Sequence, residues 1–403
     1  MKKVALIGSM LLLCLIFLTA RAPSPALASA EPPAAETLAQ SNTAFGVQLY
    51  RQLSQGSANT FFSPYSVSSA LAMTYGGARE ETAREMKAAL HFQLDQDRLP
   101  AAFKALNAAL AQGLDPDGQK LRIANALILT GGDVGPAYKQ LLKNSYDAEI
   151  FPGDLGAVNS WVRQKTEAGI DKILDQLDPN SVCVILNAIY FKGIWERAFD
   201  QSLTREAPFQ RPGAEPSNVR FMNQKNDFKL LSQEDFQAIS IPYKGNTLAM
   251  LILLPRKVEG LSALEAKMNR QSLPDWFAAL ERQAPRKVAL SLPRFKFETG
   301  YDLARPLKQM GMKNAFEMER ADFRGMGWPK GKLYISQVKH KAFIEVNEEG
   351  TQAAAATAVE MATKSMPAPP EVFRADHPFL FFIRHNPTGT LLFMGRMVAP
   401  IPE

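Results

Sequence analysis

The chain carries four histidines, His91, His340, His377 and His385, and two cysteines, Cys14 and Cys183. No two histidines have the His-Glu-x-x-His spacing of a helical zinc site, and no Cys-x-x-Cys pair offers a thiolate clamp. No Gly-x-Ser-x-Gly turn presents a nucleophilic serine. Gly325-Met326-Gly327 leads to Pro329 rather than to a third glycine and a helix, so it does not read as a phosphate cradle. Catalysis and metal binding therefore have little to rest on, and neither an enzyme nor a cofactor is expected.

The residues that stand out point to a different chemistry. The run 348–358 reads Glu-Glu-Gly-Thr-Gln-Ala-Ala-Ala-Ala-Thr-Ala. In a strand, Thr351, Ala353, Ala355, Thr357, Val359 and Met361 would share one face. Gln352, Ala354, Ala356, Ala358, Glu360 and Ala362 would share the other, which takes the single charge. A strand to be buried on one face has this pattern. The four alanines also favour helix, so 351–363 alone reads as either. Residues 364–372 hold Pro367, Pro369 and Pro370 and can neither continue a helix nor occupy a central strand. The whole span is long and exposed at its end, and loops of that length in compact domains are usually functional.

The flanking pattern supplies a scaffold. Helical periodicity covers 34–55, with Phe45, Leu49 and Leu53 on one face, and Ser63-Pro64 opens a second helix with a serine cap. Further helices are predicted over 82–90, 138–146, 158–174, 261–268, 275–281 and 302–310. Strands are predicted over 121–129, 182–191, 288–297 and 333–346. Hairpins are expected at 238–254, around Gly245-Asn246, and at 379–397. Helices dominate early and strands late, which predicts an α+β fold with large, mainly antiparallel sheets. The chain has 403 residues, 46% hydrophobic and 21% charged, without repeats or an internal linker, so one large domain over 31–403 is expected.

Residues 1–30 read as a cleaved secretory signal: Lys2 and Lys3, a largely apolar run over 4–18, and Ala28-Ser29-Ala30 as the cleavage site. The apolar run is short for a membrane span, so no stable membrane association is expected after cleavage. Cleavage removes Lys2, Lys3 and Arg21 and lowers the formal charge from +6 to +3, which argues against a nucleic-acid partner. Cys183 then stands alone in an apolar run, as a buried free thiol.

Several segments together resemble the serpin family. Residues 348–357 are similar to the hinge of inhibitory members: Glu348, Glu349, Gly350, Thr351, Ala353, Ala354, Ala355, Ala356 and Thr357. Asn187-Ala188-Ile189-Tyr190-Phe191-Lys192-Gly193, with Trp195, resembles the central-strand motif. Residues 376–383, Asp-His-Pro-Phe-Leu-Phe-Phe-Ile, resemble the C-terminal signature, and Phe62-Ser63-Pro64-x-Ser66 with Gly76-Gly77-Ala78 and Thr82 the N-terminal block. Glu80, where many members carry glycine, and Arg324, which replaces a common serine, depart from the pattern; Glu80 is expected on a loop, and neither departure is expected to have a consequence.

The resemblance implies three β-sheets, about nine helices and an exposed reactive-centre loop over 350–372. It implies a monomeric suicide-substrate inhibitor that traps a protease by inserting the cleaved loop into the main sheet. The family's register puts the reactive bond at Lys364–Ser365, which suits a trypsin-like serine protease whose pocket holds an aspartate. Ser63, Ser66, Asn187 and His340 match the region where the sheet parts, and Trp195 the end where insertion begins. The alternatives are a non-inhibitory chaperone or carrier of the same fold, or an inhibitor of a subtilisin-like or cysteine protease.

Overall fold

The structure is a computed structural model and describes residues 33–114, 118–349 and 369–400. The segment read as a signal, the stretch Gly350–Thr357 of the hinge, and Lys364 and Ser365 lie outside them. The N-terminal half runs α1 Ala34–Leu53, β1 Thr60–Phe62, α2 Pro64–Tyr75, α3 Glu80–Ala89, α4 Leu99–Gly113, β2 Gln119–Leu129, α5 Pro136–Tyr146, β3 Ala148–Phe151, α6 Leu155–Lys165 and β4 Cys183–Gly193. Then come β5 Arg205–Arg211, β6 Ala214–Ser232, β7 Phe236–Pro242, β8 Leu248–Pro255, α7 Leu261–Lys267, α8 Ser272–Glu281, β9 Arg286–Pro293, β10 Phe295–Asp302, α9 Ala304–Gln309 and β11 Ile335–Val346. The chain closes with β12 Glu371–Arg374, β13 Phe379–His385 and β14 Leu391–Met397.

Five strands form one sheet in the order β10-β11-β4-β2-β3. The other nine form a ladder, β1-β14-β13-β8-β7-β6-β9-β12, with β5 also on β6. The 19-residue β6 joins two sheets: residues 214–228 pair with β5 and β9, while Lys229–Ser232 pair with β7. The fold is thus α+β with three β-sheets and, among the described residues, nine α-helices.

Local sequence accounts for the central elements. In β4, residues 183–189 are all buried, as expected of an inner strand covered on both faces. Helix α2 is buried along its whole length. Ser63 caps it by accepting the Ser66 N–H at 3.1 Å, and Pro64 fills the first turn. One apolar cluster fills the space between the sheets; a smaller one lies between α6 and the outer face of the five-stranded sheet.

Two sequence expectations need correction. The helix predicted over 158–174 ends at Lys165. There the Thr166 hydroxyl accepts the Ile170 N–H at 3.1 Å, and Glu167 and Ala168 turn left-handed at φ 50° and 61°. The strand predicted over 288–297 is two strands. Arg294 separates β9 from β10, and the chain passes from one sheet to another between them. Helix α4 and strands β3, β5, β6 and β12 carry no earlier assignment. The hairpin turn at Gly245-Asn246 is as expected, with φ 79° and 59°.

Candidate functional site

The feature that organises the site is a seam in the five-stranded sheet. Strand β4 runs antiparallel to β2, and β11 antiparallel to β10, but β4 and β11 are parallel neighbours. A strand entering between them in the opposite direction would be antiparallel to both, and antiparallel pairing is slightly the more stable. In the sequence, the alternating run from Gly350 follows β11 after Asn347, Glu348 and Glu349.

The exit from β11 is anchored. Trp195 Nε1–H donates to the Asn347 carbonyl at 2.9 Å, and the Phe199 N–H to the Glu348 carbonyl at 2.9 Å. Glu348 is 3% exposed; its carboxylate accepts the Thr204 hydroxyl at 2.6 Å and lies 3.2 Å from Arg294 Nε. Burying that carboxylate is tolerable only with such partners. The Trp195 indole stacks on Tyr243 at 4.5 Å and meets the edge of Phe199 at 6.1 Å. Trp195 is therefore fixed beside the first residues of the hinge.

Midway along the seam, cross-strand register places Asn125 of β2, Asn187 of β4 and His340 of β11 in one row. The Ser63 N–H donates to His340 Nε2 at 3.1 Å, so Nδ1 carries the proton and donates to Asn187 Oδ1 at 2.6 Å. Asn187 Nδ2 donates to Ser66 Oγ at 2.5 Å and to Asn125 Oδ1 at 2.7 Å. Burial holds the His340 imidazole neutral, with its pKa lowered to about 3. Ser63, Ser66, Asn187 and His340 are thus brought together in a network without a net charge. Asn125 was missed; an asparagine inside the apolar run of β2 was the available signal. Thr204, Phe199, Tyr243 and Arg294 were also missed, since only the fold brings them to the hinge.

Among the described residues, no three His, Cys, Asp or Glu side chains converge as a metal site. Cys183 is a buried free thiol, pushed up to about 12 by desolvation.

The family model described as serpin (serine protease inhibitor) matches residues 40–400. The chain belongs to the serpin family. Leukocyte elastase inhibitor A of Rattus norvegicus is 38% identical over 387 residues, covering 91% of this chain and all of the relative. An uncharacterised serpin-like protein of Thermococcus kodakarensis is 39% identical, covering 88% of this chain and 84% of its own. Among solved structures, the thermophilic serpin tengpin in its native state matches with a TM-score of 0.80 at 28% identity, over 90% and 94% of the two chains. Uncleaved ovalbumin matches at 0.79 and 29%, over 90% and 100%. The chain is accordingly a protease inhibitor by family and not an enzyme, and its partner class is the serine proteases.

The two departures from the serpin pattern meet in space. Glu80 is not on a loop but opens α3, with φ at 50°, a conformation that explains the glycine common there. Its carboxylate accepts Arg324 Nη2 at 2.6 Å and Lys330 Nζ at 2.8 Å. Arg324 also clamps the buried Asp322 carboxylate, with Nε at 2.9 Å and Nη2 at 2.7 Å, and holds it below the usual carboxylate range. Serine at 324 could not make either contact.

Proposed function

We propose that this serpin is a secreted suicide-substrate inhibitor of a trypsin-like serine protease, with Lys364–Ser365 as the bond it offers. The observation that carries the reading is the parallel β4–β11 seam, and the sequence beyond it would, as a strand, present Thr351, Ala353, Ala355 and Thr357 on one face. Small uncharged side chains can enter the seam without desolvating a charge. The protease serine attacks the Lys364 carbonyl carbon, the bond to Ser365 nitrogen breaks, and that nitrogen leaves as a protonated amine. An ester then links protease and loop.

The freed segment becomes the missing strand. About 14 residues at ~3.3 Å each span roughly 46 Å, enough to carry a tethered protease across the domain. Roughly a dozen new ladder bonds at about 1 kcal/mol each, with one apolar face buried, contribute on the order of 10 kcal/mol or more. That rivals the stability of a whole domain, so the uncleaved form is kinetically trapped. Displacing reacting groups by ~1 Å slows ester hydrolysis about a hundredfold.

The hydrogen-bond network of Asn187 and His340 supports the reading, because its members are neutral amide, imidazole and hydroxyl groups that can exchange partners when strands part. Export follows from the signal pattern of residues 1–30, and the family match begins only at residue 40. The names of several relatives speak of elastase, which motivates a second target reading. Lysine at the offered bond favours a pocket with a buried carboxylate over a small apolar one. Incubating the protein with trypsin and with elastase, then sequencing the released fragments, separates the two. Trapping by elastase alone would remove the Lys364 assignment.

A further inference from the structure

On the outer face of the sheet, three residues along from the Asn187–His340 pair, Tyr190 of β4 stands in register with Phe343 of β11. Their rings stack across the seam, with centroids 5.3 Å apart and planes at 25°. Phe343 is 8% exposed and takes the Lys296 ammonium over its ring at 5.2 Å. Tyr190 is half-buried beneath the turn that ends α6, where a Cβ on Gly169 would fall inside the ring's van der Waals surface. Gly169 does not have a positive φ, so its lack of a side chain serves the ring and not the backbone.

The turn is itself pinned. Glu167 accepts Lys120 Nζ at 2.7 Å and Arg122 Nε at 2.9 Å, and Arg122 is the register partner of Tyr190 on β2. The stack therefore joins four elements: β10 through Lys296, β11, β4 and the turn after α6.

We propose that the Tyr190–Phe343 stack, seated under Gly169, is a latch across the β4–β11 seam that sets how fast a strand enters it. This inference rests on the strand-insertion reading above. Admitting one strand moves β4 and β11 from ~4.8 Å to ~9.6 Å apart, which carries the rings beyond aromatic contact. The latch must break before the new pairing can pass residues 190 and 343, so it weighs on the barrier rather than on the inserted product. Gly169 couples that event to the turn, because the ring cannot swing outward until the turn lifts.

The experiment uses the mature protein and a synthetic peptide of residues 350–363, whose uptake into the sheet is followed on native gels without any protease. Tyr190→Ala, Phe343→Ala and Gly169→Ala are expected to take up the peptide about three- to tenfold faster than the wild type. Tyr190→Phe keeps the ring and is expected to match the wild type. Tyr190→Leu and Phe343→Leu keep apolar volume and serve if the alanine variants do not fold. With trypsin, the faster variants should lose fewer molecules to simple cleavage per complex formed. Uptake at the wild-type rate in the ring-deleted variants, with only thermal stability lowered, would overturn the latch. Peptide uptake without trapping of trypsin would leave the latch standing and remove the target assignment. A wild-type protein that takes up no peptide would remove the insertion reading and the latch with it.

Discussion

Asn187 and His340 occupy matched positions on two parallel strands and share a 2.6 Å hydrogen bond across the seam between them. Each is at most 1% exposed, and both are tied to the α2 end, through Ser66 and Ser63. At its middle the seam thus adds to its backbone ladder one neutral side-chain bond whose partners each have further bonds.

That arrangement gives a pH dependence with a definite sign. The folded pKa of His340 is lowered to about 3, against an ordinary value near 6.5, so the unfolded chain takes up the proton first. The contribution of His340 to stability is full above about pH 6.5. It is lost progressively as pH falls from there toward 3. The difference in urea midpoint between the wild type and His340→Gln, measured from pH 8 to 4, should shrink on acidification.

Glu348 is the other point of closure. Glu348→Lys would set a cation beside Arg294 in a buried site and remove the acceptor of Thr204. The native form should lose about 3 kcal/mol, read from denaturant unfolding, and polymerise on mild heating because the top of the seam has lost its side-chain anchor. Glu348→Gln keeps the Thr204 bond and should show a smaller loss.

Glu80 and Arg324 should behave as one unit. Glu80→Gly removes two exposed ion pairs but relieves a left-handed non-glycine backbone, so its urea midpoint should stay close to the wild type. Arg324→Ser strips the buried Asp322 of its clamp and should lower the midpoint clearly. The double variant should fall short of the sum of the two, and strict additivity would contradict the coupling.

Ala355→Glu should convert inhibitor to substrate. The glutamate would have to enter the seam as a charge, which slows insertion below the rate of ester hydrolysis. A trypsin titration should show the variant cleaved to completion with loss of trapping.

What could be read from the residues follows from where the signal is local. The apolar run 182–191 announced β4, Ser63-Pro64 announced the start of α2, and Gly245-Asn246 announced a hairpin. The polar β6 hid because its N-terminal part is largely exposed and carries Asn, Lys and Asp. The break at Arg294 hid because β9 and β10 are both good strands and only their sheets differ. Each of Ser63, Asn187 and His340 was legible through family resemblance, but Asn125 needed the register of β2 on β4. Glu80 and Arg324, 244 positions apart, each looked inconsequential alone. Contact made them a pair.

The central claim is that cleavage at the hinge's far end leads to a trapped acyl-enzyme. The direct measurement mixes the mature protein with trypsin, resolves the products on a denaturing gel and identifies the linkage residue by mass spectrometry. A covalent band is expected at the summed mass of inhibitor N-terminal fragment and protease, with the ester on Lys364. Complete cleavage at Lys364–Ser365 with trypsin fully active and no covalent band would contradict it.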